Sequence, residues 1–418
     1  MKLSQLAETI QTSPIITLAA EINALKARGE KLFNLTIGDF DPKIFPIPDG
    51  MRDAILTAYR NGETNYPGAV GLPHLRTAVS GFLKHFGGID YAPDDIFIGS
   101  GGRPFICSAY LAIVDPGDKV IFPVPSWNND HYTRMVRGEE ILLETTVDTN
   151  FMPTAEMIEP HLKGASLLAL CSPQNPTGTV FSREGLAEIC DLVIRENRSR
   201  KAGEKPLMVL FDQIYWPLTF GETRHHHPVN INPEMREYCV FIDGVSKSFS
   251  GTGVRVGWGF GPSKLIAKMR SIVAHLGAWA PRAEQVGIGH YLADTAAVES
   301  HLESIRGKIS GTLEAFYRGF QQLKRDGFAV DAVHPQAAMY LTVKFDMVGK
   351  KTASGDVLDS TEKVHRYLIN EAKVGFVPFS YFGASETSPW YRLSVGTCAQ
   401  DEVPMVMQQL HDALAKLG

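Results

Sequence analysis

The sequence predicts an α/β protein: a large, mostly parallel sheet covered by helices on both faces, plus a smaller α+β domain. Three observations lead there. Short apolar runs of strand length recur at residues 96–98, 120–122, 167–170, 207–211, 240–242 and 254–260. Most are separated by longer stretches whose apolar residues recur at helical spacing. Beyond about residue 300 the pattern changes to long mixed-charge helical segments, 301–325 and 361–372, flanking one apolar run at 339–345.

Taken in order, residues 16–27 have helical spacing and 33–37 read as extended, able to pack against either part. The run at 96–98 leads into Gly99-Ser100-Gly101-Gly102-Arg103-Pro104 and then an apolar helical stretch, 105–114. The charged, Gly-containing stretch 195–205 reads as an exposed loop. The expected division is a large domain over 45–300 and a small one made from both chain ends, 1–44 and 301–418. A chain of 418 residues is long enough for two or three domains.

Composition narrows the class. With 44% hydrophobic and 21% charged residues the chain is neither disordered nor fibrous. Its 41 Lys plus Arg against 46 Asp plus Glu give a net charge of -5, so no broad basic field exists to grip nucleic acid. Glu8, Glu21 and Lys26 interrupt the apolar positions of the first thirty residues, which argues against a signal peptide. No stretch reaches the roughly 18 apolar residues a membrane span needs. The 5 cysteines are far apart and form no CxxC pair, so neither disulfides nor structural zinc is expected, and a reducing cytoplasm fits best.

The polar residues able to do chemistry follow the apolar runs, at what would be the carboxyl ends of parallel strands, where open α/β sheets bind ligands. The glycine-rich turn 99–102 ahead of a helix gathers backbone amides that attract an anion, although a purely structural tight turn would read the same. Ser172-Pro173-Gln174-Asn175-Pro176-Thr177-Gly178 is a rigid turn that fixes the Asn175 side chain, or an ordinary turn. Asp212, with Tyr215 three residues on, either caps a helix or holds a cationic ring nitrogen with a phenol alongside. Lys247 lies in Gly244-Val245-Ser246-Lys247-Ser248-Phe249; among small and apolar residues burial would lower its pKa and make it an amine nucleophile for a Schiff base. Arg255, eight residues further, offers a fork suited to a phosphate dianion. Each feature alone has a bland explanation. Lysine, ring-nitrogen acid, phenol, amide and phosphate cradle in this order, each at a strand end, form the set that a pyridoxal phosphate enzyme needs.

The sequence resembles the class I/II aminotransferases of the pyridoxal-phosphate fold-type I superfamily, of which aspartate aminotransferase is the best-known member. The likeness runs from Ser13-Pro14 and Leu35-Thr36-Ile37-Gly38-Asp39 through Asn65-Tyr66-Pro67-Gly68, Pro125-Ser126-Trp127, the Asn175 turn, Asp212, Ser246-Lys247 and Arg255 to Ser380-Tyr381-Phe382-Gly383 and Tyr391-Arg392-Leu393-Ser394. The resemblance implies that pyridoxal 5'-phosphate is held covalently by Lys247, which also shuttles the proton. Asp212 would keep the ring nitrogen protonated, Tyr215 and Asn175 would bond the ring's phenolic oxygen, and Trp127 would stack on its face beside the substrate. Ser246, Arg255 and the amides of Gly102 and Arg103 would bind the phosphate, with Tyr66 reaching it from a partner subunit. Arg392 would grip the substrate α-carboxylate, helped by Gly38 and the Asn175 amide. The sequence departs from the family at Pro378-Phe379-Ser380 and at Arg103-Pro104, both near the pocket wall.

The implied activity is transfer of an amino group from an L-amino acid to a 2-oxoacid by a ping-pong mechanism in a cytoplasmic homodimer with shared sites. Aspartate with 2-oxoglutarate is the default pair, with aromatic or alanine transamination next. A β-lyase or decarboxylase on the same scaffold is the rival chemistry. A ligand-sensing domain of a transcription regulator is the rival class, disfavoured because the likeness begins by Ser13. Arg282 is a candidate for a second substrate carboxylate, or a surface charge. His225-His226-His227 reads as an exposed loop rather than a metal site, since consecutive residues rarely point at one ion.

Overall fold

The computed structural model describes residues 1–10 and 12–418. Its main sheet has seven strands: β1 (Ile96–Gly99), β2 (Lys119–Val124), β3 (Glu139–Glu144), β4 (Ala165–Cys171), β5 (Met208–Asp212), β6 (Cys239–Gly244) and β7 (Gly257–Phe260). They lie in the order β1-β7-β6-β5-β4-β2-β3. The five strands β6, β5, β4, β2 and β3 run parallel, while β7 is antiparallel to both β1 and β6.

Alternate residues of the central strands supply two separate cores. Val120, Phe122, Leu210 and Ile242 face one side, packing with Phe105 and Tyr110 of the helix Arg103–Ile113. Ile121, Leu168, Val209 and Phe241 face the other, packing with Phe82 and Val193 of the helices Pro73–Gly87 and Arg183–Ser199. Both faces are thus dry, which is why the parallel strands read as unbroken apolar runs.

Strand β3 is absent from the sequence reading for a physical reason. It is an edge strand, Glu-Glu-Ile-Leu-Leu-Glu, in which Leu143 is the one buried side chain, and its charged ends guard the open edge. The expected loop at 195–205 is corrected in its first part, since helix Arg183–Ser199 runs through residues 195–199, while 200–205 lie in the loop that follows. Arg195 pairs with Glu159 at 2.6 Å on the solvent face, whereas Arg200 turns inward to donate to the carbonyls of Leu162 (3.2 Å) and Ala165 (2.8 Å). Over residues 195–199 the charge marks a helix's wet side.

A second sheet comprises β8 (Val330–Ala332), β9 (Tyr340–Phe345), β10 (Val377–Pro378) and β11 (Trp390–Ser394), ordered β10-β11-β9-β8 and wholly antiparallel. The helix Thr295–Arg325 joins the two parts: Val298 and Leu302 belong to a core of the large sheet, while Ile305, Ile309 and Phe316 belong to that of the small one. The chain's start attaches to its end. Phe33–Asn34 pairs in parallel with Val374–Gly375, and Ile15, Leu18 and Ile22 of helix Pro14–Ala27 pack on Phe379 and Phe382. Among the described residues no helix is long and apolar enough to cross a membrane.

Candidate active site

The register of the parallel strands decides where the chemistry lies. Cys171 pairs with Asp212 and Asp212 with Ile242, so the loops after β4, β5 and β6 leave the sheet side by side. They open into a cavity of about 480 Å³ lined by Lys247, Asp212, Tyr215, Asn175, Ser246, Arg255, Gly102, Arg103, Trp127, Gly38 and Arg392. Eleven of the sequence-predicted positions, scattered over 355 residues, therefore meet in one place.

One end of the cavity is a cradle for an anion. The turn after β1 crosses to the start of β7 so closely that a Cβ on Gly257 would lie 2.7 Å from the Gly101 carbonyl carbon. Gly101 itself has φ 78°, and a Cβ there would meet the Arg255 guanidinium at 2.4 Å. Arg255, held at φ 61°, donates to the carbonyls of Thr252 (2.7 Å) and Ser100 (3.0 Å), which fixes its fork beside the first turn of helix Arg103–Ile113. The unpaired amides of a helix start add to the positive potential there.

In the middle stands Lys247, on the short helix Val245–Ser248, donating to the Gly38 carbonyl at 2.5 Å. Burial lowers its pKa to about 8; Asp39 opposes the fall, and Arg392, Arg103 and Arg255 reinforce it. Asp212 closes the floor. Burial raises its carboxyl to about 6, against the pull of the Ile214 amide (3.1 Å) and Lys247. Tyr215 is buried, its hydroxyl 2.7 Å from that of Tyr340, and burial pushes its pKa well above the usual value, so it remains a phenol at neutral pH.

The far wall carries Arg392, 1% exposed, on β11. Its Nη1 donates to Asn175 Oδ1 (2.8 Å) and its Nη2 to the Thr36 carbonyl (2.6 Å), while its guanidinium lies 4.6 Å from the Tyr340 ring centroid and 4.9 Å from that of Phe382. Its buried Nε has no partner among the described residues. A buried, rigidly held cation with an unspent donor is chemically suited to an anion. A Cβ on Gly38 would come within 2.7 Å of the Tyr340 hydroxyl, so only glycine keeps that approach open.

Two predicted positions lie outside this cavity in the single chain. Tyr66 is 83% exposed, its ring 5.4 Å from that of Trp279. Arg282 pairs with Glu63 at 2.5 Å. Arg103, by contrast, lines the cavity mouth with its guanidinium 5.5 Å from the Trp127 ring. The histidine run is a second correction. His227 is 4% exposed and His225 half-buried, with contacts of 3.2 Å between them and 3.0 Å from His227 to Gln213, because Pro228 starts a helical turn that folds the run inward.

Three residues at or beside the site have no role in the sequence reading: Tyr340, Asp39 and Asp243. Asp243 is the last residue but one of β6 and accepts from the indoles of Trp216 (2.8 Å) and Trp258 (3.2 Å) and from the Gly244 amide (2.7 Å). The strand-end rule that singles out Asp212 applies to it equally. Tyr340 offers no such trace, since it enters from the other sheet.

The site's own features match a ring cofactor bearing a phosphate. A glycine-walled anion cradle, a lysine with lowered pKa, a buried strand-end carboxylate and a buried phenol surround one cavity, in agreement with the needs of pyridoxal phosphate.

Comparison with known proteins agrees. Residues 30–410 match the family model described as aminotransferase class I and II. A probable aspartate/prephenate aminotransferase of Rickettsia felis is 30% identical over 402 residues, covering 94% of this chain and 92% of that one. An aspartate aminotransferase of Bacillus sp. strain YM-2 is 28% identical, covering 91% and 92%. Among solved structures, the aspartate aminotransferase from Rhizobium meliloti superposes with TM-score 0.89 at 24% identity over 100% of both chains, and that from Thermus thermophilus with maleate at 0.87 and 24% over 99% and 100%. These structural likenesses establish the α/β fold, a large, mostly parallel sheet flanked by helices. The chain belongs to the class I and II aminotransferases. It is an enzyme that transfers amino groups.

Proposed function

We propose that the protein binds pyridoxal 5'-phosphate through Lys247 and transaminates an acidic L-amino acid, aspartate, with 2-oxoglutarate as acceptor in a ping-pong cycle. The observation that carries this reading is the convergence of Lys247, Asp212, Arg255 and Arg392 on one cavity that Arg103 also lines. The bound group would supply an electron sink for negative charge at the substrate α-carbon and a carrier for the amino group.

The chain's residues account for the rest. Arg255, Ser246 and the first amides of helix Arg103–Ile113 would hold the phosphate. Asp212 would accept a hydrogen bond from a cationic ring nitrogen, and that partner would draw its carboxyl back to the ionised form. Tyr215, a phenol at neutral pH, and the Asn175 amide would donate to the ring's oxygen, and Trp127 would cover its face. Arg392 would orient the α-carboxylate, fixing which bond at the α-carbon faces the Lys247 amine. That amine, with its pKa near 8, is matched to taking and returning a proton near neutral pH.

Arg103 is the better candidate than Arg282 for the distal carboxylate. It faces the cavity, whereas Arg282 already pairs with Glu63. The names of the relatives from Rickettsia felis and Bacillus support the same substrate class. Mixing cofactor-loaded protein with L-aspartate should yield one oxaloacetate per site and the pyridoxamine form of the cofactor, which 2-oxoglutarate then reverses. Steady conversion of L-aspartate to alanine and carbon dioxide, without the pyridoxamine form, would refute transamination.

We place the large domain at 45–300 and the small one at 1–44 and 301–418, supported by the change of core between Leu302 and Ile305 and by the pairing of residues 33–34 with 374–375. A homodimer in which Tyr66 completes the partner's phosphate site accords with that ring's exposure. Five free cysteines accord with a reducing cytoplasm.

A further inference from the structure

Behind the loop that follows Tyr215 lies a second cavity, of about 520 Å³, with a wall unlike that of the active site. Three arginines reach it from three different elements: Arg183 from the start of helix Arg183–Ser199, Arg224 from the loop after β5, and Arg306 from helix Thr295–Arg325. His225, His226 and His227 complete its polar side. Among the described residues no Asp or Glu lines it. Arg224 spends its Nη1 on the carbonyls of Gly221 (3.0 Å) and Thr223 (3.1 Å), which fixes its position without neutralising it.

Like charges gathered on one cavity wall repel, and an anion that joins them relieves that repulsion. A second observation points the same way. The buried Nδ1 of His225 has no hydrogen-bond partner among the described residues, an unmet polar atom beside an otherwise polar space. Burial lowers the pKa of His227 to about 3 and that of His225 well below its usual value. At neutral pH the imidazoles are therefore uncharged hydrogen-bonding groups, and the positive field comes from the arginines.

We propose that this cavity is a second anion-binding site, for a phosphorylated small molecule with at least two negative charges. Arginines contributed to one cavity by separate elements suit phosphoryl oxygens, and the volume lies within the usual range for a small-molecule site. Phe86, Trp216 and Leu302 line the same cavity and offer an apolar surface for whatever the phosphates are attached to.

The test is calorimetric titration of the cofactor-loaded enzyme with inorganic pyrophosphate and, in parallel, with a nucleoside diphosphate. One saturable site per chain is expected, weakened at least tenfold in Arg183→Ala/Arg306→Ala and in Arg224→Ala, with transaminase turnover in the absence of pyrophosphate within about twofold of the parent. Tighter binding of the nucleotide would show that the apolar wall is used; equal binding would show that the phosphates alone are read, and both support the site. Binding abolished by Arg392→Ala but untouched by the arginine variants would assign the anion to the active site and overturn the proposal, as would no saturable binding at millimolar pyrophosphate. The titration reads binding, so its outcome is independent of which amino acid the enzyme uses.

Discussion

Lys247 works in a positive field made by its own chain. Arg392, Arg103 and Arg255 all disfavour its protonated form, and burial disfavours it more. The rate of cofactor capture by cofactor-free protein should therefore rise with pH and level off above about 8, following the free amine, rather than climb towards 10.5, the ordinary lysine value. Stopped-flow absorbance across pH 6 to 10 would reveal the difference. Lys247→Ala should abolish covalent capture and lower kcat by about a thousandfold or more; near-normal turnover would overturn the lysine's role. Arg392→Ala removes a charge-assisted fork contributing roughly 1.5–3 kcal/mol. KM for every amino acid donor should rise about 10- to 100-fold, with a smaller change in kcat. Lys247 was legible because it follows a strand and is polar where the run is apolar, whereas Arg392, inside the strand Trp390–Ser394, was reached through the family resemblance. Tyr340 was not legible, since its place opposite Tyr215 comes from contact between residues 125 apart in the chain.

Between the strands, the site is held by close backbone approach and by one buried carboxylate. Asp243 gathers Trp216, Trp258 and the Gly244 amide, and so ties the loop behind Tyr215 to β7 and to the start of the lysine helix. Asp243→Ala leaves two buried indole N–H groups unsatisfied and should cost about 2–4 kcal/mol in urea unfolding of the cofactor-free protein. Gly257→Ala pushes a methyl group against the Gly101 backbone, where no flexible side chain can give way. Overpacking of this kind costs about 1–3 kcal/mol, so cofactor affinity should fall about tenfold while the fold survives. Fluorescence titration with the cofactor would measure it; unchanged affinity would mean that the cradle is not where the phosphate sits.

For the molecule as a whole, the helix Thr295–Arg325 passes from one core to the other, so the walls carrying Lys247 and Arg392 belong to different sheets. Movement between those parts would change the distance from the amine to the Arg392 guanidinium. If the active unit is a dimer in which Tyr66 crosses over, a hybrid of Tyr66→Ala with Lys247→Ala subunits contains one site free of both changes. Co-expression should restore roughly half the activity per hybrid, whereas sites complete within one chain would leave no such site in the hybrid. Size-exclusion chromatography with light scattering would check the dimer itself.

Six strands of the main sheet, and the positions of Lys247, Asp212 and Asn175 at or just beyond the ends of three of them, were legible in the sequence alone, because a strand buried on both faces must be apolar and a polar residue at its end stands out. The edge strand Glu139–Glu144 escaped, since an exposed edge carries no such contrast. Only the tertiary structure decided that Arg103, not Arg282, faces the active-site cavity, that Tyr340 and Asp243 support the site, and that the histidine run turns inward to share a cavity with Arg183, Arg224 and Arg306. Those outcomes depend on which side chains meet across elements distant in the chain, and local pattern holds no record of such meetings.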